Sequence, residues 1–88
     1  MILPDLNLLV HAYNAESGEH ASARAWWEEQ LSGSSPVGLP WVVVLGFVRL
    51  VTQRRMLANP YPAGEACAIA ESWLARPNVA LLHAGERR

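Results

Sequence analysis

The sequence predicts an α/β protein in which a parallel sheet of about three strands is covered by helices. Three short apolar segments have strand character, namely residues 1–3, 36–39 and 79–82. Longer segments between them carry apolar residues at helical spacing. Because strands and helices alternate along the chain, right-handed crossover connections would make the strands parallel.

The helices are predicted in the same order. Residues 6–13 are apolar enough for a short buried helix, and Ser17 is a suitable N-cap for a second helix over residues 20–31. Residues 40–54 are predicted as a third helix, because their apolar pattern is too long for a typical strand and proline suits a first helical turn. A fourth helix is predicted from the apolar residues Ala66, Ile69, Ala70, Trp73 and Leu74.

The chain length of 88 residues predicts a single domain, residues 1–88. Only six residues follow the last predicted strand, so one edge and part of one face of the sheet would stay open. A parallel sheet needs cover on both faces. We therefore expect a fold that is incomplete at its C-terminus.

Composition narrows the class of protein. Seven arginines, no lysine and eight acids leave a net charge of −1, so net charge does not indicate a nucleic-acid partner. The two basic doublets, Arg54-Arg55 and Arg87-Arg88, are interpreted as a solvated helix end and a solvated terminus.

Cys67 is the only cysteine; it is predicted to lie in the core, and its isolation fits a reduced, cytoplasmic setting. No uncharged segment predicts a membrane span, and no basic residue precedes the apolar start as in a signal peptide.

The main candidate functional residue is Asp5, at the carboxyl end of the first predicted strand, where open α/β sheets place their binding sites. A carboxylate there suits Mg²⁺ or Mn²⁺, which prefer oxygen ligands. It equally suits a helix N-cap, and the sequence leaves both roles open. Asn7 is either a hydrogen-bond partner of Asp5 or its water, or a local capping residue. Metal-assisted phosphodiester cleavage gathers several acids, yet the other acids of this chain lie far along the sequence.

Four segments carry a resemblance to a known family. They are residues 2–10 (ILPDLNLLV), Trp26-Trp27-Glu28, residues 38–52 (GLPWVVVLGFVRLVT) and residues 73–79 (WLARPNV). In this order they resemble the PIN-domain nucleases, in particular the VapC-type toxins of toxin–antitoxin systems. The resemblance extends over essentially all 88 residues, as the N-terminal portion of such a domain.

The resemblance implies a PIN-like three-layer fold and an endoribonuclease that depends on Mg²⁺ or Mn²⁺ and cleaves RNA phosphodiester bonds. It also implies inhibition by a cognate antitoxin and a homodimer. Asp5 matches the first metal-binding acid of the family, and Asn7 matches the polar residue beside it; both would be catalytic. The acid usual in the third segment would fall at Gly46, and the later acids of the family would lie beyond residue 88.

Two other functions remain open at this point. A catalytically inactive remnant would keep only antitoxin binding or dimerisation. A phosphotransfer enzyme with Asp5 as its nucleophile is less favoured, because Asn7 stands where such enzymes have a second aspartate. If an antitoxin binds beside the first helices, Trp26 or Trp27 and Trp41 are expected to anchor it.

Overall fold

The computed structural model describes residues 1–83, so the doublet Arg87-Arg88 lies outside the described part of the chain. The described residues form four helices and two strands. In chain order these are α1 (Leu6–Ala12), α2 (His20–Ser32), β1 (Val37–Pro40), α3 (Trp41–Val51), α4 (Ala63–Leu74) and β2 (Val79–Leu82). The predicted α/β class and the order of the helices are therefore confirmed.

The sheet has two parallel strands, with Val37 of β1 opposite Val79 of β2. The first predicted strand is reduced to one isolated parallel bridge between Ile2 and Val37. In this bridge the Ile2 N–H donates to the Pro36 carbonyl oxygen at 2.9 Å, and the Gly38 N–H donates to the Ile2 carbonyl oxygen at 2.8 Å. Pairing cannot continue through Pro4, because proline has no N–H to donate. The expected third strand is thus a bridge beside β1.

Two helix ends differ from the predictions. The second helix begins at His20, and its N-cap is Glu19 without a side-chain hydrogen bond, so Ser17 is not the cap. Ser17 Oγ instead accepts a hydrogen bond from the Glu19 N–H at 3.1 Å, which closes a local turn before the helix. The third helix ends at Val51 rather than at residue 54. There the Thr52 hydroxyl donates to the Val48 carbonyl oxygen at 2.9 Å.

Four aromatic rings form the centre of the core. Trp73 packs against Phe47 with ring centroids 4.6 Å apart, and against Trp27 in a perpendicular arrangement at 5.4 Å. Tyr13 contacts Phe47 edge to face at 5.4 Å. Since the Trp27 side chain is fully buried, it is not available as a surface anchor for a partner. Trp26 is half-buried and stacks on Trp27.

Tyr13 connects the end of α1 to three other segments. The Trp73 indole N–H donates to the Tyr13 hydroxyl at 3.0 Å, and the Tyr61 hydroxyl donates to the Tyr13 carbonyl oxygen at 2.8 Å. The Arg24 guanidinium lies 4.5 Å above the centre of the Tyr13 ring. Burial raises the pKa of Tyr61, so its hydroxyl remains a protonated donor at neutral pH.

Three residues expected to be buried are exposed. Cys67 lies on the solvent side of α4, next to Ala66, which is the buried residue of that turn. In β2, Ala80 and Leu81 are exposed, although the sequence predicts a buried strand. Successive side chains of a strand point to opposite faces of a sheet, so both faces are uncovered at this point of β2 within residues 1–83. In that same range no helix is long and apolar enough to cross a membrane.

Replacement of the Tyr13 hydroxyl tests its importance for stability. Tyr13→Phe leaves the Trp73 indole N–H without its acceptor inside the core. We expect the free energy of unfolding to fall by about 1–3 kcal/mol. Urea denaturation measures this free energy. The control is Ser72→Ala, which removes an exposed hydroxyl from α4, the helix that carries Trp73. A loss no greater than that of the control would contradict the role assigned to Tyr13.

Candidate functional site

Asp5 lies at the sheet edge where the Ile2 segment ends, and it caps the first helix. Its backbone is extended, with φ −76° and ψ 144°, and its Oδ2 accepts a hydrogen bond from the Asn7 N–H at 3.1 Å. Asn7 is the second residue of α1, so this is the usual geometry of an N-cap. The capping role that the sequence left open is therefore present in the structure.

Capping uses only one of the two carboxylate oxygens of Asp5. Within residues 1–83 no protein group donates a hydrogen bond to Oδ1, and the side chain is exposed. A carboxylate can accept at both oxygens at once. Capping and metal ligation by Asp5 are thus compatible.

Asn7 contacts Asp5 through its backbone rather than its side chain. The hydrogen bond runs from the Asn7 N–H, and the Asn7 side chain is exposed in the first turn of α1. In the described part of the chain the side-chain amide makes no hydrogen bond to Asp5. The amide group therefore remains free to face solvent or a ligand near the carboxylate.

The third helix contacts α1 beside Asp5 at Gly46. A Cβ atom added at Gly46 would lie 2.9 Å from Leu6 Cδ2, and Leu6 directly follows Asp5. The absent side chain lets α3 approach the first turn of α1 closely. Position 46, where the resemblance implies an acid, therefore faces the start of the helix that Asp5 caps.

The described residues do not by themselves form a complete set of metal ligands. No group of three or more His, Cys, Asp or Glu residues in the range 1–83 is placed to hold a metal ion. The other acids of residues 1–83 lie on or next to α2 and α4, or in the loop before α2. Asp5 fits as one oxygen ligand for Mg²⁺, which often uses one or two protein carboxylates with water and substrate phosphate. The rest of a ligand set does not come from this part of the chain.

Sequence reasoning missed a small hollow at the same edge of the sheet. Its volume is about 140 Å³, and it is lined by Pro40, Trp41, Val42, Leu82 and His83. The sequence analysis expects Trp41 to anchor an antitoxin if one binds beside the first helices, and 45% of its surface is exposed. The signal that was available is Pro40, which places Trp41 at the first residue of a helix, before the buried face begins.

The sequence analysis also did not identify a cluster of polar side chains around His11. The members are six and eight residues from His11 and lie in or next to a loop, so no periodic pattern indicates them. His11 Nδ1 lies 2.7 Å from Ser17 Oγ, and His11 Nε2 lies 3.7 Å from Glu19 Oε1. The His20 Nδ1–H donates to the His11 carbonyl oxygen at 3.1 Å. These contacts join the end of α1 to the start of α2, at the opposite end of α1 from Asp5. They hold the loop between the two helices.

Comparison with curated proteins finds several related ribonucleases. The chain is 42% identical to Ribonuclease VapC33 of Mycobacterium tuberculosis over 87 residues, which are 99% of this chain and 61% of that protein. It is 38% identical to Ribonuclease VapC43 of the same species over 87 residues, covering 99% of this chain and 59% of the relative. Ribonuclease VapC37 of the same species is 36% identical over 83 residues, which are 94% of this chain and 58% of that protein.

These matches confirm the resemblance to the VapC group that the sequence indicates. The chain spans about three fifths of the length of the curated relatives it matches. A scan against protein-family models finds no match. The sequence relationship therefore rests on the individual relatives.

The capping role of Asp5 can be measured separately from any role in metal binding. Asp5→Ala removes the acceptor for the Asn7 N–H, and we expect the free energy of unfolding to fall by about 1 kcal/mol. Asp5→Asn keeps a side-chain oxygen at the N-cap, so the free energy of unfolding should fall by only about a few tenths of a kcal/mol. Urea denaturation of both variants gives these values. Equal losses in the two variants would show that the hydrogen bond to Asn7 does not stabilise α1.

Proposed function

We propose that this chain, which is related over nearly its whole length to the VapC ribonucleases, functions as the toxin ribonuclease of a toxin–antitoxin system. The single observation that carries the proposal is the 42% identity to Ribonuclease VapC33 over 99% of the chain. The position of Asp5 at the carboxyl edge of a parallel sheet supports it. The proposed substrate is RNA, and the proposed inhibitor is a cognate antitoxin. Residues 1–88 would be the N-terminal portion of a PIN-like domain.

In this proposal Asp5 is a metal ligand and the first catalytic acid. Its Oδ1 would bind Mg²⁺ or Mn²⁺ while Oδ2 keeps the hydrogen bond to Asn7. A bound divalent ion supplies a water of lowered pKa and neutralises charge on the phosphate that is attacked. The side-chain amide of Asn7, which is exposed in the first turn of α1, would orient a water molecule or a phosphate oxygen beside Asp5.

The proposal requires further acids that the described residues lack. Residues 1–83 supply one carboxylate at this edge of the sheet and no cluster of three ligands. We propose that the remaining ligands come from chain that lies outside the described residues, in a protein that acts as a homodimer. A cytoplasmic location is part of the proposal, because RNA and a reduced cysteine such as Cys67 are both found there.

A second candidate function is favoured by the single carboxylate. An inactive remnant would keep Asp5 only as the cap of α1 and would bind an antitoxin or a second copy without cleaving RNA. The capping hydrogen bond fits this candidate as well as the first one. The two candidates differ in whether cleavage depends on Asp5.

Cleavage of a labelled single-stranded RNA in the presence of Mg²⁺ tests the proposed function in a protein that contains residues 1–88 and the chain that supplies the further acids. Residues 1–88 alone should have little nuclease activity, because they lack those acids. Asp5→Asn should lower the cleavage rate at least about a hundredfold, since the amide keeps the helix cap but cannot supply a charged ligand. A chelator should abolish cleavage by the unchanged protein. Glu65→Gln is the matched control, because Glu65 is an exposed acid on α4 and its replacement should leave the rate unchanged.

Two results would contradict the nuclease. One is a cleavage rate that is the same in Asp5→Asn and in the unchanged protein. The other is the absence of Mg²⁺-dependent cleavage by a folded protein that contains residues 1–88 together with the chain that supplies the further acids. The second result would favour the inactive remnant.

A new carboxylate at position 46 tests whether the Asp5 edge can be completed as a metal site. Gly46→Glu adds an acid that faces the first turn of α1, and the Leu6 methyl group can rotate away from the new Cβ atom. We expect the affinity for Mn²⁺ to rise roughly tenfold, because a second carboxylate adds charge and a ligand. Titration with Mn²⁺ followed by electron paramagnetic resonance measures the affinity.

Gly46→Gln is the control of nearly equal size and no charge. Its Mn²⁺ affinity should match that of the unchanged protein, and the combination of Gly46→Glu with Asp5→Asn should lose the gain. A gain that persists without the Asp5 carboxylate would show that the two positions do not share a metal ion.

A further inference from the structure

Three arginines stand in a part of the chain that has no acidic residue. Residues 31–64 contain Arg49, Arg54 and Arg55 and no Asp or Glu. All eight acids lie before or after this segment. The net charge of −1 therefore conceals a segment with a charge of +3, which contains α3 and the turn that follows it.

The structure brings these three arginines to one end of α3. Arg49 is in the last turn of the helix, and all three side chains are exposed. The chain turns sharply after Val51, because the Gln53 N–H donates to the Leu50 carbonyl oxygen and the Leu57 N–H donates to that of Gln53. Arg54 and Arg55 lie in this turn. We refer to Arg49, Arg54 and Arg55 as the arginine patch.

The patch carries charge that the described residues do not neutralise. Within residues 1–83 Arg24 forms an ion pair with Glu28, and His11 Nε2 lies 3.7 Å from Glu19 Oε1; neither contact involves the patch. Arg49 is near the carboxyl end of α3, where a cation interacts favourably with the helix dipole. Arg54 and Arg55 lie beyond the helix, so this effect does not account for them. Their charge is available to an external anion.

The patch lies on the helix that contacts the candidate site. Gly46 of α3 meets Leu6, the residue next to Asp5. Arg49 follows Gly46 by three residues, which is about 4.5 Å along a helix axis. The arginine patch therefore begins three residues beyond the point where α3 contacts α1.

We propose that the arginine patch binds phosphates of the single-stranded RNA that the Asp5 site would cleave; this inference rests on the proposed function. Guanidinium groups form paired hydrogen bonds with phosphate oxygens, and a run of them matches the repeated charge of an RNA backbone. The contacts are to the backbone, so they position the strand and do not select its sequence. The patch thus supplies locally the positive charge that the protein lacks as a whole.

Binding of a fluorescein-labelled oligouridylate, followed by anisotropy in the presence of a chelator, tests the patch without cleavage. The variant Arg49→Gln/Arg54→Gln/Arg55→Gln should bind roughly tenfold more weakly at low salt. The slope of log affinity against log salt concentration should fall by about 2, since each contact to a single strand contributes about 0.7. The far-ultraviolet circular dichroism spectrum should be unchanged, because the three side chains are exposed.

Arg76→Gln is the matched control for each single replacement. Arg76 is also an exposed arginine near a helix end, but it shares a hollow with Glu28. The variant Arg76→Gln should bind RNA as the unchanged protein does. Arg54→Gln and Arg55→Gln should each lower the slope of log affinity against log salt concentration. Equal effects of Arg76→Gln and the patch replacements would overturn the proposal, because net charge alone would then explain them.

Two further outcomes separate this proposal from the proposed nuclease. If the patch variants lose RNA binding while the unchanged protein cleaves no RNA, the patch is supported and the nuclease is contradicted. If cleavage depends on Asp5 but the patch variants bind RNA normally, the patch is contradicted and the nuclease is supported. Unchanged RNA binding together with lost binding of poly-glutamate would assign the patch to an acidic protein segment and overturn the RNA proposal.

Discussion

The contacts of Tyr13 hold the first helix in place, and the candidate site depends on that helix. The Tyr13 hydroxyl accepts from the buried Trp73 indole, its carbonyl oxygen accepts from Tyr61, and its ring lies under the Arg24 guanidinium. One residue at the end of α1 is thus joined to α2, α4 and the loop before α4. Because α1 has only seven residues, fixing its last turn also orients its first turn, where Asp5 lies. A helix of this length would not be stable without such packing.

Asp5 shows how one carboxylate can have a structural role and still be available for chemistry. One oxygen accepts the Asn7 N–H, which satisfies a backbone donor at the start of the helix. This hydrogen bond fixes the side-chain direction, so the second oxygen is held in a defined position at the edge of the sheet. Pre-orientation of this kind lowers the entropy cost of binding a cation. The cap therefore does not compete with the proposed ligand role of Asp5.

Glycine at position 46 and the charges on α3 give that helix two distinct surfaces. Toward α1, Gly46 permits close packing against Leu6, while Phe47 and Val51 enter the aromatic core. The side that faces solvent is apolar at the start of the helix, where Trp41, Val42 and Leu45 are exposed. It is cationic at the end of the helix, where the arginine patch lies. Apolar and cationic groups thus follow one another along a single exposed face that begins at the edge of the sheet near Asp5.

The sequence alone determined the order of the helices, the parallel direction of the strands near residues 36–39 and 79–82, and the place of Asp5 at the end of the opening segment. These features follow from local patterns, such as apolar spacing and proline positions, and such patterns act over a few residues. Tertiary structure decided that the opening segment forms one bridge, that Ser17 contacts His11 instead of capping α2, and that Cys67 and Leu81 are exposed. It also decided that Gly46 faces Leu6 and that three arginines gather without acidic partners in the described residues. Each of these outcomes depends on which segments pack against each other in the folded protein. Such contacts join residues that are distant in the sequence, so local sequence patterns do not predict them.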